Sequence, residues 1–329
     1  MVEFRFKRTD ALSEDEIRQL CELFSASFAP DRDPAMFRRQ FLGTPFGYSY
    51  HGLMLDGARI VGSYSAVPYR YRFDGRETVF LLSVDTVIEK DYRGDPWNLV
   101  RMSGPVYDAA RADGIPFAFC FPNESIYLVR KKILQWRDIG RLSYYALPVS
   151  MRVKWPALSC LDPLLRAGAG VAVRAGQAWA QHVAEGPRPV LVEKVTDAAF
   201  VAYRYSFYHR YSGRGDGYVK VELPWGHFVY RRECIDGIDA AFLVDVYPLT
   251  AGHLADAVRR VFAAERNRVS AILYIGNPPF RPRNLLKVPL RLEPKPVYMT
   301  GKILIDGAVD DRVFALENWC VNLANYEAL

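Results

Sequence analysis

No apolar run in these 329 residues reaches the roughly 18 that a membrane-spanning helix needs. The five cysteines (Cys21, Cys120, Cys160, Cys234, Cys320) are odd in number, scattered, and form no Cys-x-x-Cys pair. That pattern speaks against a disulfide framework and against a zinc site, and buried free thiols are expected. The five histidines (His51, His182, His209, His227, His253) show neither His-x-His nor His-Glu-x-x-His spacing, so no metal is assigned. The opening MVEFRFKRTD sets charges where a secretory leader needs its apolar segment, and a cytoplasmic location is expected. Charge of one sign is not in large excess: 43 Lys and Arg stand against 37 Asp and Glu, for a net +6. The acids are interspersed among the bases, so nucleic-acid binding is not expected. A mildly basic chain instead suits an anionic small molecule, a nucleotide-linked substrate or an anionic membrane surface.

Apolar material is plentiful: half of the chain is hydrophobic, with 19 Phe, 20 Tyr and 6 Trp, which excludes intrinsic disorder. The length fits two domains or one large one. Residues 2–8 alternate apolar and charged like a half-buried strand. Ser13 and Glu16 form a capping-box pattern ahead of Ile17, Leu20, Cys21, Phe24 and Phe28 at helical spacing. Two Asp-Gly pairs, Asp56-Gly57 and Asp74-Gly75, sit between alternating stretches and predict two successive hairpins over 50–88. A helix then runs to Ala112, with Gly104-Pro105 expected to kink or delay it. A strand over 116–123, a helix over 124–134 and a strand near 141–149 complete a mixed α/β layer.

Residues 150–185, rich in Ala and Leu with Arg166 and Arg174, read either as a connecting helix or as an amphipathic segment (157–183) touching an anionic membrane. The second half repeats the order of the first. A turn at Asp236-Gly237 precedes the strand FLVDV, an amphipathic helix over 252–267 and the strand SAILYIGN, so that Asp245 and Asn277 correspond to Asp85 and Asn123.

The segment SVDTVIEKDYRGDPWNLV (83–100) resembles the GNAT acyltransferase superfamily, whose hallmark is a strand, then R/Q-x-x-G-x-G/A, then a helix. Asp85, Tyr92, Arg93 and Gly94 stand where that pattern sets them, while Pro96 and Asn98 replace its two loop glycines. The doubled arrangement is similar to tandem-GNAT proteins, including those of bacterial polysaccharide synthesis. The resemblance implies two domains, each a central, mostly antiparallel sheet flanked by helices: an acyl-CoA-binding one at 1–150, a helical linker at 151–189, and a degenerate, non-binding copy at 190–329.

It implies acetyl-CoA (or another acyl-CoA) as co-substrate and an amine acceptor, such as a lipid- or nucleotide-linked amino sugar of a cell-surface polysaccharide precursor. The diphosphate would sit on the helix N-terminus, held by Arg93, Gly94, Asp95, Trp97 and Asn98, with the pantetheine arm along Val87 and Ile88. Catalysis in the superfamily pairs a base with an acid, often Tyr. Lys131 stands at the usual Tyr position, so Tyr127 becomes the candidate acid or else an aromatic filling the core, Asp85 the candidate base or a structural hydrogen-bond acceptor, and Asn123 a group orienting the acceptor or binding pantetheine, or capping a helix. Tyr203, Arg204, Tyr208 and Tyr211 are candidates for stacking on a sugar or gripping a phosphate. Two other readings stay open: an inactive GNAT-fold binding or scaffold protein, and an aminoacyl-tRNA-dependent transferase of the peptidoglycan-bridge type.

Overall fold

The computed structural model describes residues 2–28, 32–151, 156–182, 187–205, 217–235 and 238–326. The chain divides into two compact units. The first comprises Met1–Arg141, Leu191–His209 and Val297–Asn318; the second comprises Leu142–Val190, Arg210–Pro296 and Trp319–Leu329. The contiguous halves expected from the sequence, 1–150 and 190–329, are therefore not the units found. Strand pairing is long-range, and each unit takes a strand from the other half of the chain.

Unit 1 holds β1 (Val2–Arg8), β2 (Tyr50–Asp56), β3 (Arg59–Phe73), β4 (Arg76–Ile88), β5 (Phe117–Cys120), β6 (Arg137–Arg141), β8 (Val192–Lys194) and β14 (Tyr298–Ile303). Its helices are α1 (Glu14–Ser27), α2 (Pro34–Phe41), α3 (Trp97–Ala112), α4 (Glu124–Lys132) and α6 (Ala198–Arg204). The sheet runs β1-β2-β3-β4-β5-β14-β6, antiparallel at every junction but the parallel β4/β5 pair.

Local chemistry explains the elements. The Ser13/Glu16 capping box starts α1. Asp33 caps α2 with Pro34 in its first turn. The β3–β4 hairpin turns through Asp74 and Gly75 with φ of 50° and 77°, as a type I′ turn requires. Helix α3 starts at Trp97, after the loop, and runs through Pro105 to Ala112, the end expected from the sequence. Its inner face (Leu99, Met102, Val106, Ala110) packs with Tyr50, Met54, Tyr64 and Leu81 in one core.

Unit 2 holds β7 (Ser143–Pro148), β9 (Val219–Leu223), β10 (Gly226–Ile235), β11 (Ile238–Tyr247), β12 (Ala271–Asn277), β13 (Leu286–Lys287) and β15 (Trp319–Asn322), with α5 (Asp162–His182) and α7 (Ala251–Glu265). Its sheet repeats the logic of unit 1: an antiparallel hairpin (β10/β11), a helix (α7), and a strand (β12) parallel to the second hairpin strand. Strand β7 then lies antiparallel on β12 as β14 does on β5. The Asp236-Gly237 turn lies outside the described residues. Leu254, Val258, Val261 and Phe262 of α7 are buried, each stabilising by about 1.5–3 kcal/mol. Helix α5 buries Ala169 and Val173 in the same core and exposes Leu164, Val171 and Trp179. No helix among the described residues is long and apolar enough to cross a membrane.

Candidate functional site

In unit 1 the parallel strands β4 and β5 stay together only at Phe80, Leu81 and Leu82, which pair with Phe117, Ala118 and Phe119. Beyond Leu82 they part. Strand β4 is distorted there, with a register shift opposite Ser63–Ser65 and a left-handed φ of 45° at Asp85, a conformation Asp tolerates better than most residues. Strand β5 ends at Cys120, and Asn123 opens α4.

The side chain that covers the parting point is Arg130 of α4. Its Nη2 donates to Ser83 Oγ and Thr86 Oγ1, both at 3.0 Å. The guanidinium carbon lies 4.9 Å from the Trp136 ring centre and 5.6 Å from that of Tyr64. The residue is only 3% exposed, and among the described residues its Nε and Nη1 have no hydrogen-bond partner. Around it, Tyr64 and Tyr107 share a hydroxyl–hydroxyl bond of 2.8 Å, and Trp136 Nε1 donates to Tyr107. Cys120 Sγ lies 3.2 Å from Thr300 Oγ1, and burial pushes its thiol pKa upward. The site is a cationic centre in an aromatic, hydroxyl-lined surround.

The proposed diphosphate corner differs from expectation. Pro96 is the N-cap of α3 and contributes no side-chain cap. The N–H groups of the first turn are already used: Trp97 donates to Asp95 Oδ1 at 2.9 Å, Asn98 to the Asp95 carbonyl and Leu99 to the Pro96 carbonyl. Asn98 is buried and turned inward, its Nδ2 on the Tyr92 carbonyl and its Oδ1 accepting from Arg101. Arg93 Nε donates to the Ile88 carbonyl at 2.7 Å, so that carbonyl is engaged rather than free for pantetheine. Val87 is buried and paired with Ser63. Gly94 needs no special backbone angle, and a Cβ there would meet open space. Trp97 is exposed.

The remaining candidates separate. Asp85 is engaged elsewhere: it accepts from Arg32 Nη1 at 2.6 Å, and Arg32 lies over Phe24 at 3.6 Å. Asn123 accepts the Ile126 N–H, the capping reading of this residue. Tyr127 is on the outer side of α4, donating to Asp138 on β6 and stacked on Tyr298 of β14 at 4.5 Å. Lys131 shares that cluster. Desolvation, then the bond to Asp138, raise the Tyr127 pKa, which makes it a poorer acid.

Tyr203 is buried with its hydroxyl on the Gln40 carbonyl at 2.6 Å, and Arg204 is fully buried, so neither offers a face to a sugar. Tyr208 and Tyr211 lie outside the described residues. Arg130 is the residue the sequence reading passed over. Its signal was the departure of Lys131 from the usual Tyr, which should have directed attention to every inward position of α4.

In unit 2 the equivalent opening is filled. Strand β15 pairs with β12 through Gly276 and Asn277, just beyond the last β11/β12 pair. Asn322 Nδ2 donates to Asp245 Oδ1 at 2.9 Å and Asn277 Nδ2 to the Trp319 carbonyl. A Cβ on Gly276 would come within 2.4 Å of the Val321 carbonyl oxygen, so the close approach requires glycine. The same unit has a cavity of about 670 Å³ at the start of α7, lined by Thr250, Gly252, His253, Asp256, Arg260 and Trp225 among others. His253 stacks on Trp225 at 4.3 Å, and Asp256 pairs with Arg259 and Arg260. Among the described residues no group of three or more His, Cys, Asp or Glu could hold a metal ion.

No protein-family model and no curated protein matches the sequence. Solved structures do match its fold. A probable N-acyltransferase from Enterococcus faecalis aligns at 12% identity and a TM-score of 0.55, covering 92% of this chain and 73% of that one. A GCN5-related N-acetyltransferase from Anabaena variabilis aligns at 13% identity and a TM-score of 0.56, with coverage of 92% and 73%. Eis1 from Mycobacterium abscessus aligns at 10% identity and a TM-score of 0.54, with coverage of 92% and 74%. The expectation of a mixed α/β, mostly antiparallel fold holds: the chain has the fold of the GCN5-related N-acetyltransferases.

Proposed function

We propose that this protein is an acyl-CoA-dependent N-acyltransferase whose reacting centre is the opening between β4 and β5 of unit 1. One observation carries the reading: the two strands part after Leu82 and Phe119, leaving β4 groups beyond that point unpaired with β5, where a thioester can lie. An acceptor amine would attack the thioester carbonyl, forming the C–N bond and breaking the C–S bond. The amine gives up a proton, and the sulfur departs as thiolate or takes that proton. Acetyl-CoA is the donor to try first, and an amino sugar of a polysaccharide precursor the acceptor. In unit 2 the corresponding opening is occupied by β15, which supports a non-binding role there.

Binding the donor requires a diphosphate to displace the Asp95 carboxylate from the Trp97 N–H, with Arg93 in the loop before α3 and Arg101 one turn into it as the cations to pair with it. Thermal unfolding tests this. At about a hundred times its Kd a ligand adds ~2.7 kcal/mol, a rise of about 5–11 °C at roughly 2–4 °C per kcal/mol for a unit of 150–250 residues. The rise should appear with acetyl-CoA and vanish in Arg93→Ala. No rise with any acyl-CoA overturns the reading.

The self-capped α3 favours one second reading, a GNAT-fold binding protein without acyl transfer; it predicts that outcome. We also propose a cytoplasmic protein that touches an anionic membrane through 157–183. The exposed Leu164, Val171 and Trp179 lie on a helix carrying Arg166 and Arg174, and Arg283 sits 5.4 Å from the Trp179 ring centre. Exposed apolar side chains on a helix that also exposes Arg174 complement anionic lipid.

A further inference from the structure

We propose that the opening between β4 and β5 receives a carboxylate, and that Arg130 is the residue that recognises it. The inference rests on the acyltransferase reading and narrows its substrate. A guanidinium stays protonated in proteins, so Arg130 carries its charge inside the unit. Burying an ion without a counter-charge is costly, and the contacts present cover only part of the need. Ser83 and Thr86 hydroxyls take up Nη2 alone. The Trp136 and Tyr64 rings attract the cation, but ring attraction leaves the N–H donors of Nε and Nη1 unmet. No carboxylate of the described residues pairs with them, and they belong to a side chain 97% removed from solvent by a residual exposure of 3%.

The location supplies the meaning. Ser83 directly follows the last residue of β4 that pairs with β5, so the unmet donors lie where the reacting end of a bound donor and the acceptor come together. A single positive charge among neutral hydroxyls and rings matches one negative charge. A carboxylate meets that condition, and a phosphate dianion exceeds it. The carboxylate has two sources with the same chemistry: the acyl group of a dicarboxylic acyl thioester, or an amino-acid acceptor.

Calorimetric titration separates the two sources. The first arm compares succinyl-CoA with acetyl-CoA; the second compares an amino acid with its amide, each in wild type, Arg130→Lys and Arg130→Met. The expected result is a preference for the carboxylate-bearing ligand of one arm by about ten- to a hundred-fold, the range for a charged hydrogen bond. Arg130→Met should abolish the preference and Arg130→Lys retain part of it. Arg130→Met should also keep or raise the melting temperature, because it removes an unpaired buried charge. A merely structural Arg130 would instead lower the melting temperature on substitution and weaken acetyl- and succinyl-CoA alike; that result overturns the proposal, as does the absence of any preference in both arms. Should no acyl-CoA bind at all, the acyltransferase reading falls. The carboxylate site then stands only if amino-acid binding is lost in Arg130→Met.

Discussion

Asp95 Oδ1 accepts the Trp97 N–H at 2.9 Å, so the first turn of α3 already carries an anion where a diphosphate would dock. Its other oxygen pairs with Arg101 at 3.0 Å. A bound phosphate must replace both contacts and tolerate the displaced carboxylate nearby.

Asp95→Asn should therefore tighten acyl-CoA binding. Removing one negative charge at a helix N-terminus beside a phosphate is worth about 0.3–1 kcal/mol at low ionic strength, roughly a two- to fivefold fall in Kd. The gain should shrink as salt rises. Equal or weaker binding would mean that the donor's phosphates lie elsewhere.

His51 predicts a pH dependence of stability. It is fully buried, accepts or donates to Thr9 Oγ1 and Ser65 Oγ, and packs against Phe37 and Phe41. Burial pulls its pKa down from 6.5 to about 3. The folded state thus keeps His51 neutral while the unfolded chain takes up a proton below the ordinary value. Its contribution is complete above pH 6.5 and is lost progressively as the pH falls from there toward 3. Urea melts of wild type and His51→Gln across that interval should converge as pH falls; parallel curves would assign the dependence to other groups.

Asn123 separates capping from chemistry. Asn123→Ala should cost about 0.5–2 kcal/mol of stability, and Asn123→Ser much less. Activity should follow stability in both. A large loss of kcat in Asn123→Ser with normal stability would restore its direct role in the reaction.

Helix α5 gives a membrane prediction. Vesicles containing anionic lipid should sediment the protein, neutral vesicles should not, and Val171→Glu with Trp179→Ser should release it. Retention on neutral vesicles, or none on either, contradicts the lipid contact, and self-association of the wild type reversed by the same substitutions points to a second copy instead.

Much of the fold is legible locally. The Asp-Gly pairs encode their own turns through backbone conformation, and Ser13 with Glu16 encodes the start of α1, because each depends on residues adjacent in the chain. The strand exchanges do not. Nothing near 143–148 or 298–303 announces a partner more than a hundred residues away, since pairing is settled by backbone groups that every residue carries. Helix α4 misled for a different reason. A binary reading turns Leu128 inward and Arg130 outward, yet Leu128 is 55% exposed and Arg130 is 3% exposed. The inversion is the kind of local conflict that marks functional positions. Tyr203 and Arg204 misled in the opposite sense: an aromatic and cationic cluster suited to ligands was spent on the core.

Amide hydrogen exchange with and without saturating acetyl-CoA tests the central claim most directly. Acyl-CoA seated in unit 1 should slow exchange at 83–88, 93–99 and 117–123, and leave 243–253 and 274–277 of unit 2 unchanged. Slowing confined to 249–253, at the mouth of the unit 2 cavity, or no slowing anywhere, would contradict it.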